Sequence, residues 1–190
     1  MNNRHSIRLR GYDYSGGGCY FVTIDIQDKL KLFWNVDDFD IKGRTHRSAR
    51  TLNPENPTAR TLNPENFIND IGKMIDYWWN EIPNHFKNIE IDEYVIMPDH
   101  FHGIIVINYP VGADRCVRPM NIKNYPKLGD IVQWFKTMTT NEYIKNVKNN
   151  NWPEFHGKLW QRDYYERIIR DKEELSRIRK YIVENPENIK

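Results

Sequence analysis

The sequence predicts an α+β fold: a ferredoxin-like split βαβ antiparallel sheet with an additional C-terminal helix. Runs rich in β-branched and aromatic residues occur at 19–27, 88–97, 100–107 and 159–170. Stretches with apolar residues at i, i+3, i+4 spacing occur at 67–81 and 128–143 and again after 171. Their order along the chain is strand, helix, strand, strand, helix, strand, helix, which is the split βαβ plan plus one helix.

The first strand, CYFVTIDIQ at 19–27, follows the Ser-Gly-Gly-Gly punctuation at 15–18. Residues 40–66 then change character, because ARTLNPEN stands at 49–56 and again at 59–66. Two short copies cannot build a solenoid. A surface insertion is expected, since lengthening a loop costs little entropy. Phe67, Ile68, Ile71, Met74, Ile75, Trp78 and Trp79 form the apolar stripe of the first helix, which Pro83 ends. NIEIDEYVIM at 88–97 and HFHGIIVI at 100–107 pair as a hairpin, with Met97, Pro98 and Asp99 at the turn. A Pro-containing loop fills 108–126. Leu128, Ile131, Val132, Phe135 and Met138 mark a second helix to Tyr143, and the Asn-rich 146–151 is expected as loop. LWQRDYYERIIR at 159–170 has strand composition, and Asp171 with Glu174 makes a capping-box-like start for a last helix ending near Asn185, before Pro186.

At 190 residues, 39% hydrophobic and 28% charged, the chain fits one globular domain spanning 1–190. The net charge of +2 excludes a general polycation, although basic side chains gather in RHSIRLR near the start and ERIIRDKEELSRIRK near the end. Such clusters suit phosphate contacts or simply a solvated face. Cys19 and Cys116 form neither a metal-ligand spacing nor a disulfide framework. No apolar run reaches the roughly 18–20 residues of a membrane span, and no apolar segment follows the basic start. A cytoplasmic protein is expected.

His100 and His102 lie two apart in a strand, so both project from one face and make a pair of imidazole ligands for a divalent metal. Taken alone, a His-x-His has modest odds of meaning nothing. Tyr181 and Asn185 share a helix face at i, i+4, beside the stripe of Leu175, Ile178 and Ile182. The plain alternative makes Tyr181 a packing aromatic and Asn185 a helix-ending residue before Pro186. Together they make chemical sense. A phenol with an ordinary pKa near 10 is a poor nucleophile, and a metal beside a phosphate offsets that weakness. Attack by tyrosine keeps the bond energy in an ester, so a strand can be rejoined without ATP.

The segments SIRLRGYDYS with YFVTI, YVIMPDHFHGIIVI, LGDIVQWFKTMTTNEYI and LWQRDYYERIIRDKEELSRIRKYIVENP together resemble the REP-associated tyrosine transposases, within the single-tyrosine HUH transposases. The resemblance covers nearly the whole chain. It implies Tyr181 as nucleophile and His100 and His102 as metal ligands, with Asn185 matching the polar residue that completes metal binding. It also implies Mg²⁺ or Mn²⁺ as cofactor, single-stranded DNA hairpins as substrate, and a bacterial, nucleoid-associated monomer or homodimer. Arg4, Arg8 and Arg10 are then candidates for the hairpin phosphates, and Trp134, Lys136, Trp160 and Arg162 for stacking and charge contacts. A core position is as good a reading for each of the two tryptophans. Tyr164 and Tyr165 are rival nucleophiles without the helical Asn partner.

Two other functions compete. A non-catalytic hairpin-binding module on the same sheet would have no use for the His pair or Tyr181. A water-using metallonuclease needs further carboxylates, and Asp99, if on a strand, points away from both histidines.

Overall fold

The computed structural model describes residues 17–35, 51–52, 60–61, 68–108 and 126–188. Arg4, Arg8, Arg10, Cys116, the loop from 109 to 125 and most of 40–66 lie outside them.

Four strands form the main antiparallel sheet. β1 is Gly18–Asp25; two short strands follow, β2 (Thr51–Leu52) and β3 (Arg60–Thr61); then β4 is Ile89–Ile96, β5 is His100–Ile107 and β6 is Tyr165–Ile169. In the sheet order β2-β3-β4-β5-β1-β6, β5 and β1 are the inner two of the four main strands. β4, β5, β1 and β6 pair antiparallel throughout, the split βαβ arrangement that the sequence predicts. The helices are α1 (Asp70–Asn80), α2 (Ile82–His85), α3 (Leu128–Asn150) and α4 (Lys172–Glu184).

Alternation along β1 divides the sheet into two faces. Tyr20, Val22 and Ile24 join Phe101, Ile105 and Ile107 in a large core that also holds Met74, Ile75 and Trp79 from α1 and Ile131, Phe135 and Tyr143 from α3. Phe21 points the other way. It packs with Val95, Met97, Ile104 and Ile169 against Ile178 and Ile182 of α4. The sheet is therefore sandwiched between two helices on one face and a single helix on the other. A single helix cannot cover a whole sheet face, and what it leaves open becomes the site.

One close approach fixes the height of β5. A Cβ on Gly103 would meet Trp79 Cζ2 at 2.4 Å and Phe101 Cε1 at 2.8 Å. Glycine is required there so that the indole can lie against the strand.

Several boundaries differ from the sequence expectation for local reasons. α1 starts at Asp70 because the Asn69 side chain caps it, accepting from Gly72 N at 3.0 Å. Pro83 stands inside α2, near its N-terminus, where a missing N–H costs nothing. α3 runs through the Asn-rich segment to Asn150 and stops at Asn151, in the left-handed region at φ 54°. The strand expected over 159–170 shortens to Tyr165–Ile169. The preceding loop is instead tied down by Trp160, bridged to Ile26, and by Gln161 N donating to Asp25 O at 2.9 Å. Within the duplicated segment, β2 of the first copy pairs antiparallel with β3 of the second, and β3 adds parallel to β4 at Thr61 and Tyr94. Part of the expected surface insertion thus extends the sheet edge.

Candidate active site

The hairpin turn sets the first half of the site. Met97 N donates to His100 O at 2.9 Å around Pro98 and Asp99, and β5 begins with His100. Register places Thr23 opposite His102 and Asp25 opposite His100, so these four share the α4 face, while Phe101 between the histidines turns into the large core.

The two imidazoles converge. His100 Nε2 and His102 Nε2 are 3.1 Å apart, and the rings meet edge-on with centroids 4.6 Å apart. Behind them, His102 Nδ1 contacts Thr23 Oγ1 at 2.8 Å and His100 Nδ1 contacts Asp99 Oδ1 at 2.5 Å. This back-side arrangement is what a metal pair needs. In the tautomer with both ring protons on Nδ1, Thr23 Oγ1 and Asp99 Oδ1 are placed to accept them and both Nε2 lone pairs face forward. A separation of 3.1 Å also suits two nitrogens sharing one cation at about 2.1 Å each. Burial first, and the neighbouring His100 second, push the His102 pKa down to about 3. The ring is therefore neutral at neutral pH, the state that coordinates. The residues present fit a divalent cation at this pair.

Asp99 corrects the alternation argument. It sits in the turn rather than on a strand, and it reaches His100 instead of pointing away. Thr23 was not visible from sequence at all, because its role depends on a cross-strand register between residues 23 and 102. Among the described residues no group of three or more His, Cys, Asp or Glu is placed to hold a metal.

α4 brings the second half. Asp171 caps it, accepting from Glu174 N at 2.7 Å. Glu174 turns its carboxylate to Arg170 N at 3.0 Å and to Arg167 Nε at 2.8 Å, which ties the helix start to β6. The Arg170 N–H, and then the Arg167 guanidinium, hold the Glu174 carboxyl below the usual range. Further along, Arg179 grips Asp92 with two nitrogens, Nε at 2.9 Å and Nη2 on the other oxygen. Asp92 lies where the β4–β5 register shifts between Ile91 and Tyr94, and such bulges re-aim side chains. Held at both ends, α4 buries Ile178 and Ile182 and leaves Tyr181 at the open flank, 51% exposed. The Tyr181 ring stands 5.5 Å from that of His102 and 6.0 Å, edge-on, from Phe21, which itself stacks on His102 at 5.4 Å. Asn185 follows one turn on, half-buried, at the C-terminal end of α4.

The other candidates fall elsewhere. Trp160 is 5% exposed in the large core and donates Nε1 to Thr139 Oγ1 at 2.9 Å. Lys136 is buried too: its ammonium donates to the carbonyls of Gln161 at 2.9 Å, Arg162 at 3.4 Å and Asp163 at 3.1 Å, and burial lowers its pKa to about 8. Lys136 pins the 161–163 loop, Trp160 anchors to α3, and both side chains are buried away from any surface DNA could reach. Trp134 is half-buried in the helix layer, stacked on His85 at 4.5 Å and packed on Trp78 and Phe86, with the sheet between it and the His pair. Arg162 is exposed on the loop that Lys136 pins. Tyr164 packs against the large core under Lys136, whereas Tyr165 stands opposite Thr23 on the α4 face.

No protein-family model matches the chain. A Haemophilus influenzae protein of uncharacterized function is 32% identical over 98% of this chain and 89% of its own length. A second Haemophilus influenzae protein, provisionally named a REP-associated tyrosine transposase, is 24% identical over 92% of this chain and 73% of its own. A solved REP-associated tyrosine transposase bound to a REP hairpin is 18% identical, covering 94% of this chain and 72% of that one, with a TM-score of 0.49. Among the described residues no helix is long and apolar enough to cross a membrane. The chain belongs to one family with the first Haemophilus influenzae relative and is a distant homologue of the REP-associated tyrosine transposases.

Proposed function

We propose that the chain is a metal-dependent single-stranded DNA endonuclease and strand transferase, acting beside hairpins through a 5′-phosphotyrosine on Tyr181. One observation carries the reading: an exposed phenol ring lies 5.5 Å from His102, whose Nε2 converges with that of His100. A packing tyrosine would be covered, and two imidazoles whose Nε2 atoms meet 3.1 Å apart can close on one cation once the proton they share is displaced. The hairpin substrate is taken from the family resemblance.

His100 and His102, with Asn185 as the third protein ligand, would hold Mg²⁺ or Mn²⁺. The bound cation would polarise the scissile phosphate and offset the charge that develops on its oxygens. Thr23 and Asp99, in contact with the two Nδ1 atoms, would keep the imidazoles aimed by accepting their Nδ1 protons. Tyr181 Oη attacks phosphorus as its proton passes to solvent. The phosphorus–O3′ bond breaks, and the departing 3′ oxygen takes up a proton. Ester replaces ester, so a 3′-hydroxyl can later reverse the step and release Tyr181. Phe21 supports both halves of the site, stacking on His102 and meeting Tyr181 edge-on.

The test is incubation with end-labelled hairpin DNA carrying single-stranded flanks, with and without Mn²⁺, beside Tyr181→Phe. The expected product is a protein-linked DNA that needs the metal and disappears in the variant. Cleavage that survives Tyr181→Phe would overturn the assignment of the nucleophile. Binding without cleavage across a panel of hairpins would favour a recognition module.

A further inference from the structure

The face that carries the His pair also carries an unabsorbed aromatic on the sheet's edge. Among the described residues β6 is an edge strand, and register sets Tyr165, Thr23 and His102 in one row across β6, β1 and β5. Neighbouring strands lie about 4.8 Å apart, so the Tyr165 backbone is roughly 10 Å from that of His102. Tyr165 is 46% exposed, and its ring meets that of Phe21 edge-on at 6.4 Å. The adjacent Tyr164 shows what a structural tyrosine does here: it turns into the large core beneath Lys136. Two residues on from Tyr165, on the same face, Arg167 stands opposite Phe21. Its guanidinium is held by Glu174 through Nε at 2.8 Å and Nη2 at 2.6 Å, yet the side chain is 54% exposed.

An aromatic and an arginine two residues apart on a strand are about 6.7 Å apart along the backbone. That is close to the rise between successive nucleotides of an extended single strand. We infer that Tyr165 and Arg167 form a track along β6 for single-stranded DNA, Tyr165 stacking on a base beside the cleaved phosphate and Arg167 meeting the backbone one step away. The inference rests on the proposed function of the His100, His102 and Tyr181 site and adds the element that leads the strand to it. Stacking is tolerant of base identity because every base has a π face. The track supplies grip and direction, and sequence reading must come from elsewhere.

Fluorescence anisotropy tests this on the full chain with two labelled DNAs, a blunt hairpin and the same hairpin with a single-stranded flank, in the absence of metal. Tyr165→Ala should bind the flanked hairpin about 5- to 150-fold more weakly, the range a stacked base is worth. The blunt hairpin should be bound as by wild type, and Tyr165→Phe should restore flank binding because it keeps the ring. Equal loss on both DNAs, or no rescue by Tyr165→Phe, would overturn the track. So would wild-type affinity of Tyr165→Ala while the wild-type protein cuts normally. If Tyr165→Ala instead binds normally but forms no covalent adduct, Tyr165 is acting in the chemistry and the stacking role is wrong. A wild-type protein that neither binds nor cuts either DNA removes the proposed function itself, which is a different outcome from all of these.

Discussion

Replacing Thr23 with Val tests whether the back of the His pair matters as much as its front. In the metal-free protein the two Nε2 atoms, 3.1 Å apart, can share a hydrogen bond only if one of them carries a proton. Coordination at both requires that proton to move, leaving each ring protonated at Nδ1. For His102 the acceptor is then Thr23 Oγ1, at 2.8 Å, in a site where the imidazole is 5% exposed. Valine keeps the branched shape and removes the oxygen. A buried N–H left without an acceptor costs about 1–3 kcal/mol, and because the proton resides there chiefly in the metal-bound state, most of that falls on coordination. The expected result is Mn²⁺ binding weaker by about 10- to 100-fold, the range for loss of an outer hydrogen bond to a ligand. Titration calorimetry on the metal-free chain reads it, with circular dichroism confirming the fold. Thr23→Ser, which retains the oxygen, should stay within a few-fold of wild type. Mn²⁺ affinity of Thr23→Val within twofold of wild type, with the fold intact, would refute the claim that this hydroxyl orients a metal ligand.

Asp99→Asn keeps an oxygen for His100 Nδ1 but removes its charge, so Mn²⁺ should bind more weakly, by about 10-fold; unchanged affinity would show that the contact is incidental. Asp92→Ala frees Arg179 and should cost about 1 kcal/mol in urea unfolding, modest because the guanidinium is half exposed. It should also lower adduct yield more than Arg177→Ala does, and equal yields would mean that the clamp does not position Tyr181. Burial pushes Tyr143, which donates to Pro153 O at 2.9 Å, up to about 12, and Cys19 up to about 12 as well. Both groups keep their protons in the folded state beyond the pH at which the unfolded chain releases them. The stability they contribute is complete below about pH 8 for Cys19 and about pH 9 for Tyr143 and is lost as pH rises toward 12, by about 2 kcal/mol for Tyr143. Tyr143→Phe should flatten that slope above pH 10, and an unchanged alkaline limb would contradict it. Deleting residues 49–58, one period of the duplication, should leave cleavage rates within about twofold, because Thr61 still reaches β4; a collapse in rate would place the insertion within the site.

Strand identity was legible because each main strand carries its own run of β-branched and aromatic residues. Tyr20, Val22 and Ile24 against Phe21 is a local pattern that the sheet obeys. The hairpin from Ile89 to Ile107 was legible for the same reason, with Pro98 and Asp99 marking its turn. The loop at 159–164 was not, because its residues have strand composition and are held out of the sheet by partners far away in sequence, Thr139 for Trp160 and Ile26 beside it. The Asn-rich end of α3 was misjudged by propensity. There the segment extends a helix already running from Leu128 to Lys145, with Tyr143 and Val147 packed against the core. At the site, the shared face of His100 and His102 follows from period two alone. The contributions of Thr23 and Asp99 could not be read, since one needs the register of two strands and the other the path of a turn. Lys136 and Trp160 mislead for a related reason: a cation and an indole look the same in sequence whether they meet DNA or a ring of backbone carbonyls.

The run His100, Phe101, His102, Gly103 carries two messages in alternate letters. The odd letters face the proposed chemistry, and the even ones are fitted to Trp79, with no room for even a methyl group at Gly103. Side chains on opposite faces of one strand share its backbone, so neither message can be edited without moving the other. Loosening the wedge from α1 would first shift the two imidazoles by tenths of an ångström. Catalytic failure should therefore precede unfolding along any series that erodes the core at Trp79, and selection on activity alone would preserve that packing.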